Sequence, residues 1–164
     1  MRPVAIVGAG MIPFGRRDDD TLMDMLAYAS LNALDDAGLG DKGVNAVYVA
    51  NMGAGMLQHQ MSVASALVDR LSLMPAAADA IENGPASGAS AIKNGLLAVA
   101  SGYYDLVLVV GGETGAGVPQ RGFLPGVGPD AEHQRCGLDQ RHAVVADGVL
   151  VRVVRGVAHA LGQG

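Results

Sequence analysis

Tryptophan is absent, aromatic residues make up only 4% of the chain, and there is a single cysteine, Cys136. One thiol cannot form an internal disulfide, so the fold must rest on its core, and the cysteine usage suits a reducing compartment; we expect the cytoplasm. Positive charge is also scarce: 11 Lys and Arg against 16 Asp and Glu leave a net charge of −5. Nucleic-acid backbones are bound by clustered basic residues that displace counterions, so no nucleic-acid partner is expected. Long apolar runs are missing as well. The most apolar later stretch, Leu106 to Val110, falls far short of the roughly 20 residues a bilayer demands. Gly8, Gly10 and Pro13 interrupt the opening MRPVAIVGAGMIPFG before a secretory segment is complete. We expect a soluble protein with no membrane association.

What the chain does have is glycine, 24 residues of it, within a sequence of 164 residues that is 50% hydrophobic. That is enough to bury one core, built from Ala, Val, Leu, Ile and Met packed around close backbone approaches. The run Pro3 to Val7 predicts a buried strand ending at Gly8, followed by a loop over Met11 to Asp19. Asp20 or Thr21 can cap a helix whose apolar positions Leu22, Met25, Leu26, Ala29, Ala33 and Leu34 keep helical spacing up to Gly38 and Gly40. The pattern repeats with a strand at Val44 to Val49, a helix at Met61 to Leu71 and a short strand at Ala78 to Ile81. A further helix is predicted over Ala86 to Ala100, with Ile92, Leu96, Leu97 and Val99 on its apolar side, then a strand at Leu106 to Val110. Strands alternating with helices predict an α/β fold, a βαβαβαβ unit with a mostly parallel sheet flanked by helices.

From about Thr114 the periods fade and Gly, Pro, Arg and His dominate, with only Val149 to Val154 strand-like. Residues 1–113 are therefore expected to form one half-domain and 114–164 a divergent tail, truncated or frameshifted. Thr114 to Ala146 is expected to be loosely ordered, because it holds too little apolar periodicity to offset chain entropy.

Gly8-Ala9-Gly10 after a strand invites a dinucleotide-binding reading, but Pro13 stands where a third glycine belongs and no acid follows the second strand. A tight turn between strand and helix is the plainer expectation. His133-x-x-Cys136 with His142 matches no common zinc spacing and lacks a fourth ligand, so no metal is expected. Asp18-Asp19-Asp20 is expected to be a solvated loop favouring the next helix start. Arg16 and Arg17 beside it are placed to touch a phosphate or simply to lie exposed.

The string Ile81-Glu82-Asn83-Gly84-Pro85-Ala86-Ser87-Gly88 leads into VASGYYDLVLVVGGE, which ends at Glu113. This succession of strand, sharp turn, helix, Gly-x-x-Asp and strand ending in Gly-Gly-x-Glu resembles the nucleophile segment of thiolases of the sterol-carrier and archaeal type. The opening VAIVGAGMIPFG, the helix ending LDDAGL, and VYVANMGAG followed by Gln60 match the same family in order and spacing. The resemblance covers Arg2 to Glu113 and implies one half of a two-half thiolase fold.

It further implies enzymes that join or cleave carbon–carbon bonds β to a thioester, with no metal and no cofactor beyond the CoA of the acyl-CoA substrate. In that family a cysteine at the helix start accepts the acyl group, its N–H helps to bind the oxyanion, and a histidine and second cysteine from the other half move protons. Pro85 occupies the matching position here. It offers neither a nucleophile nor an N–H, although proline at the first helical position is structurally benign. No Gly-His-Pro and no second-half Cys-x-Gly is found.

An acyltransferase relative that is inactive alone is the leading expectation. A non-catalytic subunit of a thiolase-like complex, or a cysteine-independent retro-aldol lyase on an acyl-CoA, are the alternatives. Association with a second copy or a thiolase-like subunit follows from the family's packing. Ser87 is one position off a nucleophile elbow and more plainly packs in the first helical turn. Tyr28, Tyr48, Tyr103 and Tyr104 are the available acids for a lyase.

Overall fold

The computed structural model describes residues 2–15, 17, 19–39, 43–114 and 144–153. In chain order the elements are β1 (Val4–Met11), α1 (Leu22–Asp36), β2 (Ala46–Ala50), α2 (Ala54–Leu57), α3 (Val63–Arg70), β3 (Ala77–Ile81), α4 (Ser87–Ser101), β4 (Leu106–Thr114) and β5 (Val144–Val153). The five strands form one sheet in the order β1-β5-β4-β2-β3. β2 pairs in parallel with both β3 and β4, while β5 lies antiparallel to β1 and to β4. Four strands thus run one way and β5 alone runs back, which makes this an α/β fold with a mostly parallel sheet.

Alternation along the central strands sends side chains to two separate cores. Val47, Val49, Leu106, Leu108 and Val110 pack with α1 and α3, including Met25, Leu26 and Leu67. Tyr48, Val107 and Val109 pack with Ala91 and Val99 of α4. One face of the sheet therefore carries α1 and α3, and the other carries α4.

α1 begins where its sequence says it should. Thr21 is the N-cap, accepting a hydrogen bond from the Asp24 amide while the Asp24 carboxylate accepts from the Thr21 amide, a reciprocal capping box. Asp24 also pairs with Arg70 of α3. The Thr21 hydroxyl and amide hold the Asp24 carboxyl below its ordinary value, with Arg70 adding to the effect.

Four expectations are corrected. Gly8-Ala9-Gly10 is not a turn but the middle of β1, paired with β5. A Cβ on Gly8 would lie 2.4 Å from the Ala33 carbonyl oxygen, and one on Gly10 would lie 2.4 Å from the Ala33 amide nitrogen. The glycines let the α1 backbone lie directly on the strand. In α4, Leu96 and Leu97 are not on the buried side, being 36% and 47% exposed. The buried line is Ala91, Gly95 and Val99, because a Cβ on Gly95 would lie 2.8 Å from the Val109 Cγ2 and so only a bare backbone fits there.

The third correction concerns Pro85, which precedes the helix instead of occupying its first turn: Ala86 is the N-cap and Ser87 the first helical residue. Two tight turns, Ala86 N–H to the Asn83 carbonyl and Ser87 N–H to the Gly84 carbonyl, use up the chain before α4 can start. The fourth is the extent of the strand-like run expected at Val149 to Val154. Thr114 ends β4, and Val144–Val153 is a strand that satisfies the facing backbone groups of both β1 and β4. Residues 115–143, including His133, Cys136 and His142, lie outside the described residues, as does Arg16.

Candidate functional site

The C-terminal ends of β2 and β4 and the turn before α4 enclose a cleft of about 360 Å³. Its walls are the Val109–Glu113 backbone run, the Gly84–Gly88 turn, Ala50, Met52 and Ile92. In parallel α/β sheets the carboxyl ends of strands are where helix starts and loops converge, so a cleft at this edge is expected to take ligands.

Gly84 makes the turn possible. It sits at φ +53°, a left-handed conformation that side chains with a Cβ rarely adopt. Its amide donates to the Glu82 carboxylate at 2.7 Å. Pro85 follows, exposed and on the cleft wall. Ser87 is buried, and its hydroxyl is committed: it donates to the Gly84 carbonyl at 2.7 Å and accepts from the Asn83 amide at 2.8 Å. It braces the turn, as its plainer reading held. α4 has no side-chain N-cap, since Ala86 has no side-chain acceptor.

Glu113 also lines the cleft, and Asn51 braces the strand end that carries it. The Asn51 side chain is buried; it donates to the Gly112 carbonyl at 2.8 Å and accepts from the Ala54 amide at 2.8 Å. Glu113 Oε1 accepts from the Met52 and Gly53 amides, the latter at 3.2 Å. Burial pushes the Glu113 carboxyl up, against the opposing pull of those amides and of Asn51. The local motif that ends at Glu113 does not reveal this role, since the partners lie some 60 residues earlier in the chain.

The remaining candidates among the described residues do not line the cleft. Arg17 is held by Asp20 at 2.8 Å and Asp20 lies at the foot of the α1 cap. Tyr48 is buried in the α4 core, and its hydroxyl is pushed up by burial and by Asp79. Tyr103 and Tyr104 stack edge to face with centroids 4.7 Å apart beyond the α4 stop, and Tyr28 is exposed on α1. Among the described residues no cluster of three metal-ligating side chains occurs.

A five-stranded sheet with one reversed strand, covered on both faces and carrying a cleft against a helix start, defines the class of fold. It is shared with Xanthomonas campestris OleA, solved with bound lauric acid and lauroyl-CoA, at a TM-score of 0.69 and 19% identity over 93% of this chain and 57% of that one. The sequence places it more narrowly. The pattern of the thiolase N-terminal domain matches residues 4–127, and the chain belongs to the thiolase family.

Among curated relatives, the acetyl-CoA acetyltransferase of Methanothermobacter thermautotrophicus is 39% identical over 113 residues, 69% of this chain and 30% of that protein. The acetyl-CoA acetyltransferase of Methanocaldococcus jannaschii is 36% identical over 113 residues, 69% of this chain and 29% of its own length. The chain therefore spans under a third of the length of these relatives. No helix among the described residues is long and apolar enough to cross a membrane.

Proposed function

We propose that this chain carries the N-terminal share of a thiolase-type site that binds an acyl-CoA thioester but does not take its acyl group. The observation that carries this reading is Pro85 on the cleft wall at the turn into α4, the position that the family resemblance matches to the nucleophile. A pyrrolidine ring has no lone pair to attack a thioester and no N–H to meet an oxyanion. The one hydroxyl among the described lining residues, that of Ser87, is spent on its own turn. The names of the curated relatives and the lauroyl-CoA bound by OleA support an acyl-CoA ligand. The reading calls for no metal and no cofactor beyond the CoA of that ligand.

A second feature favours a partner. Leu96 and Leu97 stand exposed on the outer side of α4, the one described helix on its face of the sheet. Apolar side chains left in water on a helix of this kind favour association, with a second copy or with a thiolase-like subunit that supplies the rest of the site.

Calorimetric titration of the full chain with acetyl-CoA, beside an assay of CoA-dependent acetoacetyl-CoA cleavage, tests the first reading. Binding without turnover above buffer is expected. Turnover by the chain alone overturns the inactivity, and absence of binding overturns the ligand. Light scattering at micromolar concentration tests the second, for which a sharp monomer is the contrary result.

A further inference from the structure

Among the described residues, two buried side-chain oxygens have no hydrogen-bond partner, Oε2 of Glu113 and Oε1 of Gln58. Both belong to one junction. Gln58 donates its Nε2 to the Thr114 carbonyl at 3.2 Å and to the Thr114 hydroxyl at 2.7 Å, and Thr114 follows Glu113 in β4. Both orphans are acceptors, and a buried acceptor without a donor is disfavoured strongly enough that native folds seldom keep one.

We propose that Glu113 is a positioning residue that carries its proton on Oε2 in the folded chain, offers that hydrogen to Gln58 Oε1 directly or through one enclosed water, and as a neutral acid clasps the Met52–Gly53 turn to the end of β4. The inference is independent of what the cleft binds.

Three observations support it. First, the space around Oε2 is made by a missing side chain: a Cβ on Gly53 would lie 3.1 Å from Oε2 and 2.9 Å from the Leu57 Cδ1. Second, among the described residues the surroundings offer no cation to hold a carboxylate. The end of β2 brings Asn51 and Met52, α2 and its C-cap bring Ala54, Leu57 and Gln58, and the turn into α4 brings Pro85 and Ser87. The nearest titratable residue beyond α2, His59, is exposed. On β5 the register sets Val145 opposite Glu113 and an acid, Asp147, opposite Gly111. Third, burial outweighs the Met52 and Gly53 amides and the Asn51 side chain and pushes the carboxyl up. Met52 lines the cleft, so the clasp fixes one of its walls.

The sign follows from linkage. A carboxyl whose folded pKa lies above its unfolded value stabilises the fold fully below the ordinary glutamate range, about 4.3, and that stabilisation is lost as pH rises through the raised value. Thermal unfolding against pH, with infrared spectra of the carboxyl stretch, compares the native chain with Glu113→Gln, Glu113→Ala and Gln58→Met.

The amide of E113Q keeps an oxygen for the Met52 and Gly53 amides and offers an N–H to Gln58. That variant should unfold at or above the native temperature and lose the pH-dependent step, while E113A should unfold lower throughout. A protonated-carboxyl band above the ordinary glutamate range should be present in the native chain, absent in E113Q and shifted in Q58M. Destabilisation of E113Q at neutral pH, or absence of the band, overturns the proton. An unshifted band in Q58M overturns Gln58 as its acceptor. Should E113A fail to fold, E113Q and the infrared spectra still decide.

Discussion

At the scale of single residues, the chemistry of the site is set by two neighbours with opposite roles. Pro85 faces the cleft with nothing to react, and Ser87 has a reactive atom type that is tied down. Replacing Ser87 with alanine leaves the Asn83 amide and the Gly84 carbonyl without their shared partner, which should cost about 1–3 kcal/mol and lower the melting temperature. A serine-directed fluorophosphonate should label neither the native chain nor the variant at this position. Labelling of Ser87 in the native protein, with unchanged stability in the variant, would show that the hydroxyl is free. The turn at Gly84 and the packing of Ser87 were legible from the surrounding string, because turn signals are local, whereas the helix starts one residue later than expected and leaves Pro85 outside its first turn. Glu113 was legible only as the end of a motif. Its burial and its orphan oxygen depend on Gly53 and Gln58, which local sequence does not connect to it.

Helices and strands were legible where one local rule dominates. The α1 start follows from Thr21 and Asp24, whose side chains and backbone cap each other. β2, β3 and β4 follow from short apolar runs. One element was not, and one only in part. α2 is a four-residue turn of helix in which only Ala54 is buried, too short to show a period. β5 was legible only as the run from Val149, because Asp147 and Gly148 blur its first half, and its place between β1 and β4 is fixed by backbone pairing instead. Glycine was ambiguous for a physical reason: a turn and a close approach both need it. In β1 the close approach decides, and Gly10→Ala tests that directly. The new methyl would meet the Ala33 amide and the Ala29 carbonyl, backbone atoms that cannot swing aside. We expect a loss of about 1–3 kcal/mol, the ordinary range for overpacking, seen as a lower denaturation midpoint. Ala9→Ser, at an exposed position between the two glycines, should leave the midpoint unchanged; equal effects at both sites would argue against the close-packing account.

At the scale of the molecule, the chain supplies one sheet and a cleft beside the start of α4, and it matches 30% of the length of the first relative. In the family as the resemblance describes it, the groups that move protons come from a second half. A helix start and a cleft therefore make a place for a nucleophile but not a complete reaction, because such groups act as a unit. The central claim is that residue 85 occupies that place, and it can be tested without catalysis. Pro85→Cys, made with Cys136→Ser so that one thiol is counted, restores an N–H and sets a sulfur before the uncapped N-terminus of α4, where the helix dipole favours a thiolate. The rate of iodoacetamide labelling against pH is the measurement. The account predicts an inflection below the ordinary thiol value of about 8.5 and labelling at neutral pH faster than that of an exposed cysteine. An inflection at or above the ordinary value would contradict it, and would mean that position 85 does not sit where the family keeps its nucleophile.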